Sequence, residues 1–338
     1  WQSILFLARH VAPIFFFLSG TSAWFVHLRK TTRDTSLFLL KRGLWLIVVE
    51  CFLVGFGWMF NPTFPFFGLQ VIWAIGVSMV AMAALVHLQL RWVGLIGAVL
   101  VFGHNALDSI HVENVWWYFL HERGSIEMFG RTAIFAYPVI PWIGTMALGY
   151  CFGVLYGKGY TSEVRTRMLM RLGLATTFLF IALRALNDYG DPHPWETQAS
   201  RSFTVLSFLN LTKYPPSLLY LLMTMGPAIL FLAATEKVKG WFASALIVFG
   251  RVPFFYYILH IYLIHALALI AAQLTGFGWQ SMVLDTPVWW SEELVGYGFS
   301  LPVVYLVWIG VVVALYPLCV WFNKLKSNNR QWWWLSYL

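Results

Sequence analysis

Apolar stretches about as long as a bilayer is thick recur along almost the whole chain, and this one feature leaves few folds open. A hydrocarbon core takes roughly 20 apolar residues per helix. On that ruler nine spans lie near 3–27, 36–60, 69–89, 91–110, 131–156, 165–186, 214–235, 252–275 and 300–324. Pro253 begins the eighth, so residues 241–250 read as a separate half-helix or an interfacial segment. The expected fold class is all-α: a polytopic transmembrane helix bundle, one integral membrane domain over 1–338 with a cytoplasmic tail at 325–338. Composition closes the soluble alternative. Hydrophobic residues make up 60% of the 338 and charged residues only 11%, less than half the share of about 25% in an ordinary soluble domain. So few charges cannot cover a water-exposed surface of this size, which excludes a soluble enzyme.

The distribution of charge explains the net +8. Of the 22 Lys and Arg, sixteen fall on alternate loops: between Arg29 and Arg42, at Arg91, between Lys158 and Arg171, between Lys237 and Arg251, and between Lys324 and Arg330. Basic loops are retained in the cytoplasm, which puts the C-terminus there and residue 1 outside. The chain begins at Trp1 with no basic leader or cleavage site, and span parity calls for one further span upstream. No loop combines a basic stripe with stacking aromatics, so nucleic acid is not an expected partner. The partners expected are membrane lipids, further copies of the chain or a larger membrane complex. Cys51, Cys151 and Cys319 stand singly, without metal-ligand spacing, and no paired histidines suit haem; no metal or haem is expected.

Ionisable residues inside a span are costly, turn inward and are often functional. Glu50 lies about fourteen residues into the second span, near mid-bilayer; it reads equally as a functional group and as a protonated or Arg-paired residue joining helices. His260 and His265 stand in FFYYILHIYLIHAL. Five residues apart, they point about 140° from each other on a helix, which fits buried hydrogen-bonding histidines better than a metal pair.

The outer ends of several spans are denser in polar groups. His104, Asn105 and Asp108 close the fourth span in FGHNALD, Arg184, Asn187 and Asp188 close the sixth in LRALNDYGDPHPW, and Lys213, Tyr214 and Ser217 open the seventh in LNLTKYPPS. His104 and Asp108 share one face of a regular α-helix, where a carboxylate orients an imidazole for acid and base work; they are the catalytic candidates. Arg184, Asn187, Asp188, Lys213, Tyr214 and Ser217 are the substrate-binding candidates. Each alone reads more readily as a helix cap or a solvated rim residue; their convergence at one face points to an outward crevice. On the cytoplasmic side Lys41, Arg42 and Arg251 suit phosphate groups, or else anchor lipid headgroups.

RHVAPIFFFLSGTSAWF, LLKRGLWLIVVE, YPVIPWIGTMALGYCFG, RALNDYGDPHPW, SFLNLTKYPPSLLYLLMTMGP and FGRVPFFYYILHIYLIH together resemble the bacterial membrane proteins related to heparan-alpha-glucosaminide N-acetyltransferase. The likeness runs over nearly the whole chain; the match to the animal enzyme is weaker, mainly at 13–20 and 210–217. The resemblance implies a transmembrane acyltransferase of the bacterial inner membrane, taking an acetyl group from cytoplasmic acetyl-CoA to a sugar, amino-sugar or glycolipid acceptor on the outer face. It implies that the acetyl-handling histidine precedes the segment matching 5–20; His10 is the nearest histidine in the numbered chain and is carried as a catalytic candidate. In that scheme Lys41, Arg42 and Arg251 hold the coenzyme A phosphates, and Glu50 and His260 lie along the route between faces. A non-catalytic subunit of a membrane complex and a glycolipid transporter or flippase remain as alternatives, although no repeated broken helices point to transport.

Overall fold

The computed structural model describes residues 10–128, 130–329 and 331–336; the start of the first expected span, with Arg9, and also Arg330 lie outside the described residues. In chain order the elements are α1 (Val11–His27), α2 (Thr32–Val49), α3 (Gly55–Met59), β1 (Phe66–Leu69), α4 (Val71–Leu85), α5 (Leu90–Gly103), α6 (Val115–Leu120), β2 (Gly124–Met128) and β3 (Arg131–Phe135). Then follow α7 (Ile140–Phe152), α8 (Ser162–Leu186), α9 (Arg201–Leu209), α10 (Leu218–Thr235), α11 (Trp241–Arg251), α12 (Pro253–Leu274) and α13 (Leu301–Asn328). Each of the nine expected spans contains a helix, and α11 is the separate helix expected before Pro253. Five helical stretches are long and apolar enough to cross a membrane: Leu90–Leu107, α8, α10, α12 and α13. α1, α4, α7 and α11 are apolar but shorter, so five of the nine expected spans reach that length. The chain is an integral membrane protein built mostly of helices.

The all-α expectation is corrected at residues 131–135. Counted above as the start of the fifth span, they form β3, the middle strand of a sheet ordered β1-β3-β2. Two features keep this segment out of a helix. Arg131 and Thr132 carry polar bonds, to the Phe64 carbonyl at 2.9 Å and to Glu127 Oε1 at 2.7 Å. Pro138 then holds the preceding residue extended, and the helix begins only at Ile140, with Pro141 in its first turn.

The chain divides into two compact units: one holds the described residues up to Ile47 with Leu69–Ile126 and Ile134–Lys237, the other Val48–Gly68, Glu127–Ala133 and the described residues from Val238 on. In the first, α1 packs on α7 backbone to backbone. A methyl group on Gly20 would meet the Met146 carbonyl and one on Gly149 the Phe17 carbonyl, the small-residue contact by which helices associate in lipid. Thr21 Oγ1 fastens the crossing, donating to Phe17 O at 3.1 Å and Gly149 O at 3.0 Å. α8 and α10 lie alongside, joined through Leu169, Met225, Ile229 and Ala233, which form one core with Phe17 and Phe152. Thr161, Ser200 and Ser217 cap α8, α9 and α10, each side chain accepting from a backbone N–H of the first turn.

In the second unit a π-helical turn, Glu50–Val54, a widening often found at functional positions, follows the end of α2. Glu50 is 1% exposed, turned inward as its cost in lipid requires. His265 on α12 is buried against the face of Phe60 at 4.1 Å, with Nδ1 3.0 Å from the Gly57 carbonyl and Nε2 2.7 Å from that of Met282. His260 lies beside Tyr256, its Nδ1 3.2 Å from the Tyr256 carbonyl. Both are the hydrogen-bonded histidines that their spacing suggests.

Candidate functional site

The C-terminal ends of α5 and α8 and the N-terminal end of α10 converge in the first unit. After Gly103 the chain tightens into a 3₁₀ turn, His104–Leu107. With three residues per turn, positions i and i+3 superpose, and Asn105 Nδ2 donates to Asp108 Oδ2 at 2.7 Å. His104 falls off that line: its buried ring has Nδ1 3.0 Å from Val101 O and Nε2 2.8 Å from Pro216 O. Asp108 Oδ1 accepts instead from His121 Nε2 at 3.0 Å. The expected His104–Asp108 partnership is therefore corrected to Asp108–His121. It assumed an advance of about 100° per residue, where the tighter turn advances about 120°.

His121 follows α6 and is 3% exposed. Its bond to the carboxylate uses an N–H on Nε2, and in the neutral ring this leaves the lone pair on Nδ1. That Nδ1 is buried and has no hydrogen-bond partner. Burial opposes ionisation of Asp108, but the bonds from His121 and Asn105, with charge interactions from His121 and His104, outweigh it and hold the carboxyl below the usual carboxylate range.

The segment after α8 forms the facing wall, held by two hubs. Arg184, 1% exposed, donates to four carbonyls: Nε to Phe208 at 3.0 Å, Nη1 to His193 at 2.9 Å, and Nη2 to Ser207 and Asn210 at 3.2 Å. Four of its five N–H groups are thus engaged by backbone. Asp191 accepts from Ser217 Oγ at 2.6 Å, Thr212 N at 2.8 Å, His193 N at 3.0 Å and Thr212 Oγ1 at 3.1 Å. Asn187, in the left-handed region at φ 59°, exchanges two bonds with the Trp195 backbone. Ser217 is wholly occupied as the cap of α10, and Asn105 Oδ1 accepts from Leu218 N at 2.8 Å.

Two clefts flank Asp108. One, of about 310 Å³, is lined by Asn105, Asp108, Arg184, Asn187, Asp188 and Asp191. The other, of about 270 Å³, is lined by Asp108, His121, Arg123, Thr212 and Tyr214, among others. Over the Tyr214 ring sit Arg123, 5.2 Å from its centroid, and Lys213, 5.0 Å; the Tyr214 hydroxyl is 3.3 Å from that of Tyr137. At the opposite end of α8 and α10 a third cleft, of about 560 Å³, is lined by Glu163, Arg167, Glu236 and Lys237. Arg167 and Arg184 are separated by about 25 Å along α8, close to the thickness of a hydrocarbon core.

The convergence thus gathers His104, Asp108, Arg184, Asn187, Asp188, Lys213, Tyr214 and Ser217. His10 precedes α1, its carbonyl accepting from Ile14 N at 3.3 Å. Lys41 is exposed and Arg42 half-buried on α2, and Arg251 is the exposed last residue of α11 in the second unit. Sequence reasoning passed over His121, Arg123, Asp191 and Tyr137 as site residues, and no spacing in the sequence signalled the turn that aims Asp108 away from His104. A family model described as heparan-alpha-glucosaminide N-acetyltransferase, catalytic, matches residues 2–189, more than half of the chain. The chain belongs to this acetyltransferase family. The matched stretch carries His104, Asp108, His121, Arg123 and Arg184, while Asp191 and the Thr212–Ser217 wall lie beyond it. No curated protein and no solved structure matches the chain.

Proposed function

We propose that the chain is a transmembrane acetyltransferase that takes the acetyl group of acetyl-CoA at the cytoplasmic face of a bacterial inner membrane and delivers it to a saccharide amine or hydroxyl in the cleft beside His121. Family membership supports acetyl transfer. The observation that carries the site is the Asp108–His121 pair, a carboxylate-held imidazole on a residue that lines the cleft, its remaining nitrogen buried without a hydrogen-bond partner. His121 Nδ1 takes the proton of the acceptor N–H or O–H as that atom bonds to the acetyl carbonyl carbon. The thioester C–S bond breaks, and the proton passes to the departing sulfur, leaving an acetamide or acetate ester, free coenzyme A thiol and a neutral His121. Asp108 orients the ring and offsets its transient charge. His104, with both nitrogens facing carbonyls, supports the floor of the site.

Lys41 and Arg42, both in the first unit, are assigned to the coenzyme A phosphates, which suit guanidinium and ammonium groups. Purified protein in lipid nanodiscs, given labelled acetyl-CoA and glucosamine or a glycolipid acceptor, is expected to release coenzyme A in step with acetylated sugar. His121→Ala lowers that rate by about 100-fold or more. Absence of CoA-dependent transfer in an intact protein, with CoA binding indifferent to Lys41→Ala, refutes the reading and favours a non-catalytic subunit.

A further inference from the structure

We propose that His265 is a proton-operated clasp, an imidazolium whose two N–H groups fasten the segment linking α12 and α13 to the end of α3 and release it as pH rises. The histidine and both elements that it joins belong to the second unit. Its Nδ1 lies 3.0 Å from the Gly57 carbonyl oxygen and its Nε2 2.7 Å from that of Met282. A neutral imidazole donates from one nitrogen and keeps a lone pair on the other, whereas the imidazolium donates from both. In a neutral ring, one of these two contacts sets lone pair against lone pair at hydrogen-bonding distance. Gly57 and Met282 are buried, and among the described residues His265 is the one hydrogen-bond donor to either carbonyl. A buried carbonyl left without a donor is costly. Satisfying both therefore takes two N–H groups on one ring, and closing the clasp takes up one proton from solution.

The surroundings favour the cation. Gly57 stands near the end of α3 and Met282 ends the 3₁₀ turn Trp279–Met282, and unpaired carbonyls at helix ends carry partial negative charge. The Phe60 ring lies parallel to the imidazole, centroids 4.1 Å apart and planes 2° from each other, a face that attracts a cation. Phe60 reaches that place from the left-handed region, at φ 47°, a strained conformation for a bulky residue that persists only where its contacts hold it. His104 also faces two carbonyls, but that of Val101 lies three residues back on its own helix; the partners of His265 lie 208 and 17 residues away. The same segment is fastened beside the clasp by Leu284 N, which donates to Met59 O at 2.9 Å, and by Asn61 Nδ2, which donates to Leu284 O and Asp285 Oδ1. The ionisable groups on the elements packed around the ring are His260 and Tyr262 on α12, Tyr305 on α13, Tyr297, Glu50 and Asp285. Among the described residues none of them hydrogen-bonds to it. Protonation and fastening are thus linked, and the clasp is lost as pH rises.

The test uses the full chain in lipid nanodiscs. Hydrogen exchange of peptides covering 279–284, corrected for the chemical exchange rate at each pH, is expected to lose about tenfold or more of its protection between about pH 6 and about pH 9, the contribution of one charge-assisted hydrogen bond. Nitrogen-15 NMR of histidine-labelled protein at the lower pH is expected to show His265, identified by the signal absent from His265→Gln, with both ring nitrogens protonated. In His265→Gln, which keeps a donor without the charge, the peptides show the weaker, high-pH protection of wild type at both pH values. Asn61→Ala removes the bonds to Leu284 and Asp285 and leaves the clasp, so the pH dependence persists. A ring protonated on a single nitrogen at the lower pH, wild-type protection that does not vary with pH, or a pH dependence that survives in His265→Gln each overturns the proposal. Unchanged exchange of peptides covering 253–262 confirms that the variants are folded. If His265→Gln does not fold, the wild-type series and Asn61→Ala decide: a pH dependence lost in Asn61→Ala belongs to Asp285 and refutes the clasp.

Discussion

Replacing Arg184 by Ala removes the group that ties the segment after α8 to its helix. A hydrogen bond from a charged donor contributes about 1.5–3 kcal/mol, so the four carbonyl bonds of this side chain amount to about 6–12 kcal/mol before correction. Bonds made by one guanidinium are not additive, and the carbonyls lie on an extramembranous segment where water replaces part of what is lost. A net cost of about 3–5 kcal/mol is expected. It acts on local opening of 187–212 and leaves the α1–α7 crossing in place. Hydrogen exchange read by mass spectrometry then reports amides of that segment exchanging roughly 10²–10⁴-fold faster, with Gly20 and Gly149 peptides unchanged. Arg184→Lys keeps the charge without the planar fork and falls between. Unchanged exchange in Arg184→Ala refutes the role of loop organiser and returns the guanidinium to substrate binding.

Three further outcomes follow from the geometry. Asp108→Asn keeps a hydrogen-bond acceptor for His121 but loses its charge, so acetyl transfer falls about tenfold, against about 100-fold or more for His121→Ala; equal losses would mean that the charge itself carries the effect. The folded carboxyl of Asp108 is held below its ordinary range, so its ionisation favours the fold above the ordinary carboxylate pKa and that contribution disappears as pH falls through the depressed value. Exchange protection of 105–121, followed from about pH 6 to about pH 3, is expected to decline in wild type and to decline less in Asp108→Asn. Gly149→Ala forces a methyl group against the Phe17 carbonyl and costs about 1–3 kcal/mol by overpacking, measurable as a lowered melting temperature in detergent, whereas Gly103→Ala, with open space around it, leaves it unchanged.

Hydropathy located the long apolar helices because apolar length is a local property that lipid enforces residue by residue; it passed over the short helices α6 and α9, which lie between the expected spans. It misread 131–135, since Ala133, Ile134 and Phe135 are as apolar in a strand as in a span; the polar bonds of Arg131 and Thr132 and the position of Pro138 decide the matter. Gathering the polar groups at one end was equally legible, because each sat at a span terminus on the same predicted side. The pairing within that group was not. It depends on a helix tightening at His104 and on a loop returning His121 to Asp108, and neither is written in a periodicity. Arg184 illustrates the same limit: a charged residue at a helix end looks the same in sequence whether it faces a ligand or four carbonyls 9 to 26 residues away.

The crossing of α1 and α7 has a consequence for suppressor genetics. When a side chain blocks a close approach, a second mutation that trims it restores the fit. At Gly20 and Gly149 the obstacles are the carbonyl oxygens of Met146 and Phe17, which every amino acid carries. No compensating substitution exists at the point of contact, and a lesion at either position is rescued only by changes that shift a whole helix. Selection for revertants of a Gly149 variant is therefore expected to return true reversions or mutations far from Phe17, and not substitutions at Phe17 itself.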